Sequence, residues 1–588
     1  MDAALQILKE NFRFEGFLPQ QEAIIKSVLE GHDTLAVLPT GSGKSLCYQV
    51  PALVKDGVTL VISPLVSLMK DQVDRLHELD IPAVCINSSL QFPQLKRELA
   101  NVANGKYKLV YLAPERIHTR SFQFVFDHLV SKNRLSLIAV DEAHCVSQWG
   151  HDFRPSYRQI KSLRQSVDVP MIAVTATATR EVREDIINQL DISKNSQVFL
   201  GGVNRENLKF SVQQVIQKDH SLLAFLEDQD QKEPGIIFCA TRKNVEKVTS
   251  LLQMHGYNST MYHGGMELKE RKRTQELFLK NQVPWIVATN AFGMGVDKNN
   301  IRFLVHYDMP GSLEAYVQEC GRAGRDGQQS NCLLLYSISD RRIHEFFIES
   351  SQPERFVLET LIEFFLDQKG SVRLSDIELL SQLPSIEERI SPRKLLSYLN
   401  HLEDLGFLSW TQDGQQKLYQ ISEGFDPLLL SLGHLEKNRE ASFEKLKAME
   451  SYCLSEVCLR GVLESYFSME AVHGNDCGNC SQCLGENDMR LDLDSEMAGN
   501  ILECLRENPM RFGIATLAEI LTGSRNKSLF HRNLHDLDHY GALSHYRQQD
   551  VKEFITRLVH RGLIQRKGEK YPRIQLSRKT LNMLKAVS

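Results

Sequence analysis

The sequence predicts an α/β protein in which two parallel-sheet domains stand in tandem, followed by smaller and mainly helical domains. Three observations predict this. Between residues 33 and 340, short β-rich apolar runs alternate with amphipathic helical stretches, the pattern of parallel strands covered by helices on both faces. Roughly 300 residues is too long for one such sheet domain, so the region divides. Beyond residue 340 the strands thin out and helical periodicity takes over.

The first runs fall at 34–38 (TLAVL), 58–62, 109–112, 137–140 and 171–174. They resume at 235–239 (GIIFC), 285–288, 303–306 and 332–336. The stretch between Gln197 and Gln231 is the natural divide, giving domains at 1–204 and 205–340. Residues 356–366, 374–383 and 392–405 then carry apolar side chains at helical spacing. Gly406 ends the third of these as a C′ glycine does, and FLSWTQDGQQKLYQIS reads as a hairpin. Helices followed by a hairpin make a winged-helix plan for 341–450. The same spacing recurs later: Leu399, Leu402, Gly406, Phe407 and Leu408 match Ile555, Leu558, Gly562, Leu563 and Ile564. A second winged helix is therefore expected within 489–588, although any helix–Gly–strand unit shares part of this spacing.

Composition narrows the class. With 42% hydrophobic and 24% charged residues, the chain is an ordinary folded protein, neither disordered nor fibrous. No apolar run reaches the ~20 residues of a membrane span, and the N-terminus lacks the basic start and apolar core of a secretion signal. The net charge of −5, from 69 Lys+Arg against 74 Asp+Glu, gives by itself no hint of a polyanionic partner. Its distribution does. Residues 511–588 hold 15 basic and 6 acidic residues, a net of +9, which leaves −14 on the other 510. Such asymmetry is the electrostatic footprint of nucleic acid, against the alternative of a solvated positive face. Arg547–Asp550 (RQQD) leads into the last helix, and RKGEKYPR (566–573) reads as a basic wing. Residues 341–450, by contrast, carry 13 basic and 19 acidic residues. An acidic winged helix is poorly suited to phosphate, so this segment is expected to pack on its neighbours or to dock a protein partner.

The chemistry begins at LPTGSGKS (38–45), which ends a strand and opens a helix. Thr40, Gly41, Ser42 and Gly43 supply a turn whose N–H groups close around phosphate oxygens at a helix N-terminus. Lys44 reaches the β/γ-phosphates and Ser45 ligates Mg²⁺. Leu38 stands where the strict pattern has glycine. In LIAVDEAH (137–144), Asp141 and Glu142 close an apolar strand, where sheet ligands bind. Asp141 can hold Mg²⁺ through water, and Glu142 can orient and deprotonate the attacking water. A third element, YVQECGRAGRDG (316–327), sets Arg322 and Arg325 three residues apart. Arginine there stabilises the transferring phosphoryl group, a contribution of ~10³–10⁵ in rate. Arg322 alone could equally be a surface ion pair. If Arg325 completes a site begun by Lys44, the two domains close on ATP.

The twelve cysteines divide into two groups. Cys47, Cys85, Cys145, Cys239, Cys320, Cys332 and Cys504 are scattered, and read as small buried hydrophobes. Cys453, Cys458, Cys477, Cys480 and Cys483 crowd together, as metal ligands do. Cys477, Cys480 and Cys483 form a tight knuckle that needs a fourth ligand from upstream. Cys453 and Cys458 lie five apart, ~140° around a helix, so only one can face the metal. His473 is the chemical alternative. Four thiolates suit a closed structural Zn²⁺ site; an iron–sulfur cluster lacks its usual following Cys-Pro.

These motifs resemble those of a superfamily 2 helicase: LPTGSGKS, SPLVSLMKDQV (63–73), LAPER (112–116), VDEAH, TATAT (175–179), ATNAFGMGVDK (288–298) and QECGRAGRDG stand in its order. HCVSQWGHDFRPSY (144–157) resembles the aromatic-rich loop of RecQ DNA helicases, and CLRGVLESYF (458–467) their zinc-binding segment, which selects Cys458. The resemblance covers 12–340 densely and then 451 to about 577. It implies two RecA-like motor domains, a zinc-binding subdomain at 451–488 and a basic winged helix at 489–588; residues 341–450 have no place in that arrangement.

It also implies ATP-driven 3′-to-5′ translocation on single-stranded DNA with duplex unwinding, in DNA repair and recombination. ATP, Mg²⁺ and structural Zn²⁺ are the implied cofactors, and single-stranded and duplex DNA the partners. His144, Trp149, Phe153 and Arg154 would sense DNA and relay its presence to the ATP site. Stacking on bases tolerates any sequence and contributes ~1–3 kcal/mol per base. The alternative, that Trp149 and Phe153 are core, sits poorly with Gln148, His151 and Asp152 beside them. Thr175 and Thr177 would couple hydrolysis to strand separation, and Gln318 would contact the γ-phosphate. A monomer is expected, in the bacterial cytoplasm at the nucleoid or in a eukaryotic nucleus. No further DNA-binding module is expected after residue 588. Two other readings stay open: an RNA helicase of the DEAH kind, and a DNA-binding ATPase switch that does not unwind.

FEGFLPQQE (14–22) resembles the adenine-reading motif, with Gln21 at the position that bonds the base edge. Leu18 stands where RecQ proteins usually carry an arginine that packs on adenine. Leucine offers apolar contact but no cation–π attraction. Discrimination between ATP and GTP should therefore be weak. Equal turnover of the two in a steady-state assay is the expected result, and strict ATP preference would refute it.

Overall fold

A computed structural model describes the chain apart from residues 88–89, 148, 151–152, 193–195, 203–204, 216, 293–297, 352–353, 369–370, 388–389, 405–406, 414–415, 422–432, 469–475, 487–495, 561, 569–571, 579 and 582–588. Gly406, His473, Gln148, His151, Asp152, the centre of ATNAFGMGVDK and the tip of the basic wing thus lie outside the described residues.

The first sheet contains β1 (Thr34–Val37), β2 (Val58–Ile62), β3 (Ala83–Ile86), β4 (Leu109–Leu112), β5 (Leu135–Val140), β6 (Met171–Thr175) and β7 (Gln197–Leu200). Its order is β3-β4-β2-β5-β6-β1-β7. The second contains β8 (Leu208–Gln214), β9 (Gly235–Phe238), β10 (Ser259–Tyr262), β11 (Trp285–Ala288), β12 (Phe303–His306) and β13 (Ser330–Tyr336), in the order β10-β11-β9-β12-β13-β8. Every pairing in both sheets is parallel. Alternate side chains enter cores on opposite faces, as the two-residue period requires. Leu60 and Ile62 join one core and Val61 the other; Ile236 and Phe238 oppose Ile237 in the same way.

Four strands were not among the expected runs. β3 and β10 are edge strands, and each exposes part of its length, so their apolar signal is diluted. β7 and β8 lie within the stretch expected to be a divide. β7 pairs with β1 and β8 with β13, so the chain passes between the sheets at 201–207.

The segment 341–450 divides between two cores. Helices Arg355–Asp367, Asp376–Ser381 and Pro392–Asp404 pack with β14 (Val372–Leu374), β15 (Leu408–Asp413) and β16 (Gln416–Ile421). Their core includes Leu361, Phe365, Tyr398, Leu399, Leu402, Phe407 and Tyr419. Ser375 and Glu378 start the middle helix with a reciprocal capping box. The helix Gly433–Cys453 belongs elsewhere: Leu446, Met449 and Tyr452 are buried with the second sheet, beside Leu459 and Leu463. The C-terminal unit comprises helices Glu496–Glu507, Ile514–Leu521 and Gln548–His560 with β17 (Ile564–Lys567) and β18 (Arg573–Leu576). Ile555, Leu558, Leu563 and Ile564 are buried there as Leu399, Leu402, Phe407 and Leu408 are in the earlier unit, so the shared spacing corresponds to shared packing.

Among the described residues no helix is long and apolar enough to cross a membrane. Because the winged helix at 355–421 has its own core, Phe365→Ala should cost about 3–5 kcal/mol within that unit. Limited proteolysis should then cut between 355 and 421 while single-strand DNA affinity stays nearly unchanged. A loss of that affinity would show that the unit contributes to binding.

Candidate active site and metal centre

The phosphate loop links β1 to the helix Leu46–Val54. Gly41 and Gly43 have φ of +87° and +72°, a region that favours glycine. A Cβ on Gly43 would also lie 2.3 Å from the Gln21 amide nitrogen. Gln21 is buried against this loop, with its Nε2 donating to the Ser42 carbonyl at 2.9 Å and its Oε1 accepting from Leu18 N–H at 2.8 Å. Both ends of the amide are engaged, so bonding a base edge requires it to turn. Leu18 itself is half-exposed. The Ser45 hydroxyl caps no backbone N–H of the helix it precedes, so that duty does not compete with a ligand.

Lys44 is half-buried, with Nζ 3.3 Å from the Leu38 carbonyl. Burial lowers its pKa against the pull of Glu142 and Asp141, and Arg325 lowers it further. Asp141, at the end of β5, is pushed up to about 7 by burial and then by the Glu142 charge, with Lys44 opposing. Glu142 Oε2 is buried without a hydrogen-bond partner. His144 Nδ1 lies 3.4 Å from it but bonds the Thr175 hydroxyl at 2.8 Å. A buried Asp141 beside a half-buried Glu142 with one unsatisfied inner oxygen fits a hydrated divalent cation, and Mg²⁺ takes carboxylates together with phosphate oxygens.

The second sheet supplies the opposite wall. Gln318 lies on the helix Leu313–Cys320, and Arg322 and Arg325 follow in the turn after it. Arg322 is buried and driven down to about 10 by burial and then by Arg325, while Glu319 and Glu142 hold it up. A Cβ on Gly41 would sit 3.5 Å from Arg325 Cγ, and one on Gly321 2.8 Å from Thr40 Cβ. The structure therefore brings Thr40, Gly41, Lys44, Asp141 and Glu142 of the first sheet against Arg322 and Arg325 of the second.

His144, Thr175 and Thr177 are all buried, and Thr175 donates to the Thr177 carbonyl at 3.3 Å. Arg154 bonds the Pro64 carbonyl at 2.8 Å. Trp149 is partly buried against the first-sheet core, so the packing and DNA-sensing readings share that side chain. The Arg158 guanidinium lies 5.2 Å over the Phe153 ring. One link was missed from sequence. Lys445, on the helix Gly433–Cys453, donates to the Trp149 carbonyl and lies 3.8 Å from Glu314 of the second sheet. Tyr466 also bonds Glu314, at 3.1 Å. Lys445 stands between Glu444 and Leu446 in a helix rich in charged residues, with no local motif, so only the tertiary contact identifies it.

Cys458, Cys477, Cys480 and Cys483 place their sulfurs within 4.8 Å of one another, with Cys477–Cys483 at 3.8 Å and Cys480–Cys483 at 3.3 Å. Tetrahedral Zn–S bonds of ~2.3 Å require sulfurs about 3.8 Å apart, so the donor set fits Zn²⁺. Cys453 is buried in the second-sheet core instead. The knuckle docks on β8, where Ser481 N–H bonds the Phe210 carbonyl at 2.9 Å. Of the scattered cysteines, all are buried except Cys85, which is half-buried.

The C-terminal unit is tied to the second sheet by the Ser337 hydroxyl, which donates to Glu553 at 2.8 Å. Beside this bond lies an open cleft of about 700 Å³ whose lining includes Arg342, Arg511, Arg532, Lys552, Arg566 and Arg573. The +9 of the tail is thus partly gathered on one concave face.

Comparison with known proteins follows this geometry. Residues 18–185 match the DEAD/DEAH box helicase family, 217–327 the helicase conserved C-terminal domain, 412–484 the RecQ zinc-binding family and 494–587 the RQC domain. The chain is 35% identical over 586 residues to the ATP-dependent DNA helicase RecQ of Bacillus subtilis (strain 168), covering 99% of this chain and 83% of that one. The Haemophilus influenzae protein of the same name is 33% identical over 587 residues, covering 99% and 80%. The ATP-dependent DNA helicase Q-like 4B of Arabidopsis thaliana is 34% identical over 565 residues, covering 94% of this chain and 43% of that protein.

The thiol geometry separates two neighbouring cysteines. Cys480→Ser should abolish stoichiometric zinc, measured by elemental analysis of the purified protein, and Cys453→Ala should retain it. Zinc loss from the Cys453 variant alone would reverse the ligand assignment.

Proposed function

The chain belongs to the RecQ family of ATP-dependent DNA helicases, and from that premise we propose that it couples ATP hydrolysis to 3′-to-5′ translocation on single-stranded DNA and to duplex unwinding, in repair and recombination of chromosomal DNA. The observation that carries the reading is the split phosphate site. Lys44, Asp141 and Glu142 stand on one sheet and Arg322 and Arg325 on another, with burial shifting Lys44, Asp141 and Arg322 toward their neutral forms. Buried charge so strained is relieved by a ligand that brings both a cation and phosphate.

In this mechanism the loop from Thr40 to Gly43 cradles the phosphates and Lys44 neutralises their charge. Asp141 and Ser45 would hold Mg²⁺, which would supply electrostatic stabilisation of the phosphoryl oxygens. Glu142 takes a proton from the attacking water as its oxygen bonds phosphorus and the bond to the ADP oxygen breaks, giving ADP and phosphate. Arg322 and Arg325 stabilise the charge that develops, and Gln318 contacts the γ-phosphate. Gln21 reads the adenine once its amide leaves the phosphate loop.

DNA acts on this site through a chain of contacts. Trp149, Phe153 and Arg154 take the strand, and His144 passes its presence through Thr175 and Thr177 to Glu142. The basic cleft of the C-terminal unit holds duplex phosphates. Residues 355–421 are left to protein contacts, and a monomer is sufficient for every step.

Unwinding of 3′-tailed but not 5′-tailed duplexes with ATP is the expected result. Single-stranded DNA should stimulate ATPase more than RNA does. Lys44→Ala and Glu142→Gln should each abolish turnover, and stronger stimulation by RNA would overturn the DNA reading.

A further inference from the structure

Arg205 lies in the short connection between β7 and β8, within VNRENL, a stretch in which no motif was recognised. Its guanidinium reaches both walls of the cleft. Nη1 donates to the Thr40 carbonyl of the phosphate loop at 2.9 Å and to the Gly321 carbonyl at 3.3 Å. Nη2 donates to the carbonyls of Ala323, at 3.1 Å, and Gly324. Nε points to Asn207 Oδ1 at 3.4 Å. Of the four carbonyl acceptors, three belong to the turn that carries Arg322 and Arg325, and one to the loop that carries Lys44.

The surroundings are built for this approach. Asn207 Nδ2 donates to the carbonyls of Gly324 and Gln328, each at 2.8 Å, holding the same turn from the side. Glycine stands where the clasp leaves no room: a Cβ on Gly41 would lie 3.1 Å from Arg205 Nη1, and one on Gly324 2.5 Å from Asn207 Nδ2. Arg460 of the zinc-binding segment anchors the connection from behind, bonding the Arg205 carbonyl at 3.4 Å and the Leu208 carbonyl at 3.0 Å. Among the described residues, the hydrogen-bond acceptors of Arg205 are neutral oxygens. Its positive charge is therefore not cancelled in an ion pair, and it adds to the field of Lys44 and Arg325.

We propose that Arg205 is a positioning residue that clasps the phosphate loop to the arginine-bearing turn and so sets the separation of the two motor domains at the ATP site. The guanidinium fork suits this task because it spreads several donors in a fixed plane, where lysine offers a compact ammonium. The kinetic part rests on the ATPase reading above; the structural part does not.

Two measurements test the clasp. In the full chain, Arg205→Ala should lower kcat for DNA-stimulated ATPase on the order of a hundredfold, the scale of a small misplacement of catalytic groups. Binding of a fluorescent ATP analogue should change far less, because Lys44 and the loop glycines remain. Arg205→Lys should recover little turnover although it keeps the charge, whereas free guanidinium ion should restore part of it to the alanine variant, beyond a sodium chloride control. Separately, fluorescent labels on the two motor domains should report a wider ligand-free separation in Arg205→Ala, and an unchanged one in Lys44→Ala. Wild-type turnover in Arg205→Ala, or an equal loss of nucleotide binding and kcat, would overturn the kinetic role. An unchanged label separation would overturn the clasp whether or not the protein hydrolyses ATP, and a wild-type chain without ATPase would count against the ATPase reading alone.

Discussion

The structure depends on buried charge that neither motor domain can neutralise alone. Parallel sheets concentrate their loops at the C-terminal ends of the strands, and β1 and β5 deliver Lys44, Asp141 and Glu142 there. A lysine drawn out of water beside two carboxylates is costly unless its partners are well matched, and here they are not: Lys44 is depressed while Asp141 is raised to about 7. Bringing Arg322 and Arg325 to the same cleft sets Arg322 against Glu142 but also crowds Lys44 with further positive charge. Phosphate would offset the crowded cations and a divalent ion the paired carboxylates, so a ligand carrying both would favour holding the two sheets together.

How much of this was legible in the sequence depends on range. The phosphate loop, the carboxylate pair and the arginine turn each occupy a few consecutive residues, because backbone geometry demands particular residue types side by side. Gly41 and Gly43 need positive φ, and that requirement is written locally. The central strands were legible for a related reason: burial on both faces leaves an unbroken apolar run. Edge strands β3 and β10 lost that signal. Contacts between distant segments left none. Nothing near Lys445 announces that it meets the Trp149 carbonyl, and nothing near Gln21 shows that its amide rests on the phosphate loop. The composition of 341–450 likewise concealed that its final helix packs on the second sheet while the rest folds around Phe365 and Leu399.

The two winged-helix units show how similar packing serves opposite electrostatics. In the earlier unit basic side chains are paired: Lys417 with Asp376 at 2.7 Å, Lys394 with Glu349 at 3.0 Å and Arg355 with Glu359 at 2.7 Å. Cations so engaged present little net field to a polyanion. In the later unit, Arg511, Arg532, Lys552, Arg566 and Arg573 line one cleft with Arg342 of the preceding domain, and Glu553, the one carboxylate among the described residues of that lining, accepts a hydrogen bond from Ser337. Fold alone therefore says little about nucleic-acid contact; the placement of carboxylates decides it.

The zinc-binding segment connects to the same problem of domain spacing. Its cysteine knuckle extends the edge of the second sheet at β8, through Ser481 and Phe210. Arg460, two residues after Cys458, bonds the carbonyls of Arg205 and Leu208. Two of the clustered cysteines thus lie near the exit of the connection into β8: Cys480 bridges to Phe210, and Cys458 precedes by two residues the arginine that bonds the Arg205 carbonyl. A structural metal contributes folding energy where it binds. Bound to this cluster, a metal would add that energy beside the connection that carries Arg205. The cysteine cluster is remote from the phosphate loop in sequence, yet the Arg460 side chain joins its segment directly to the linker between the two sheets.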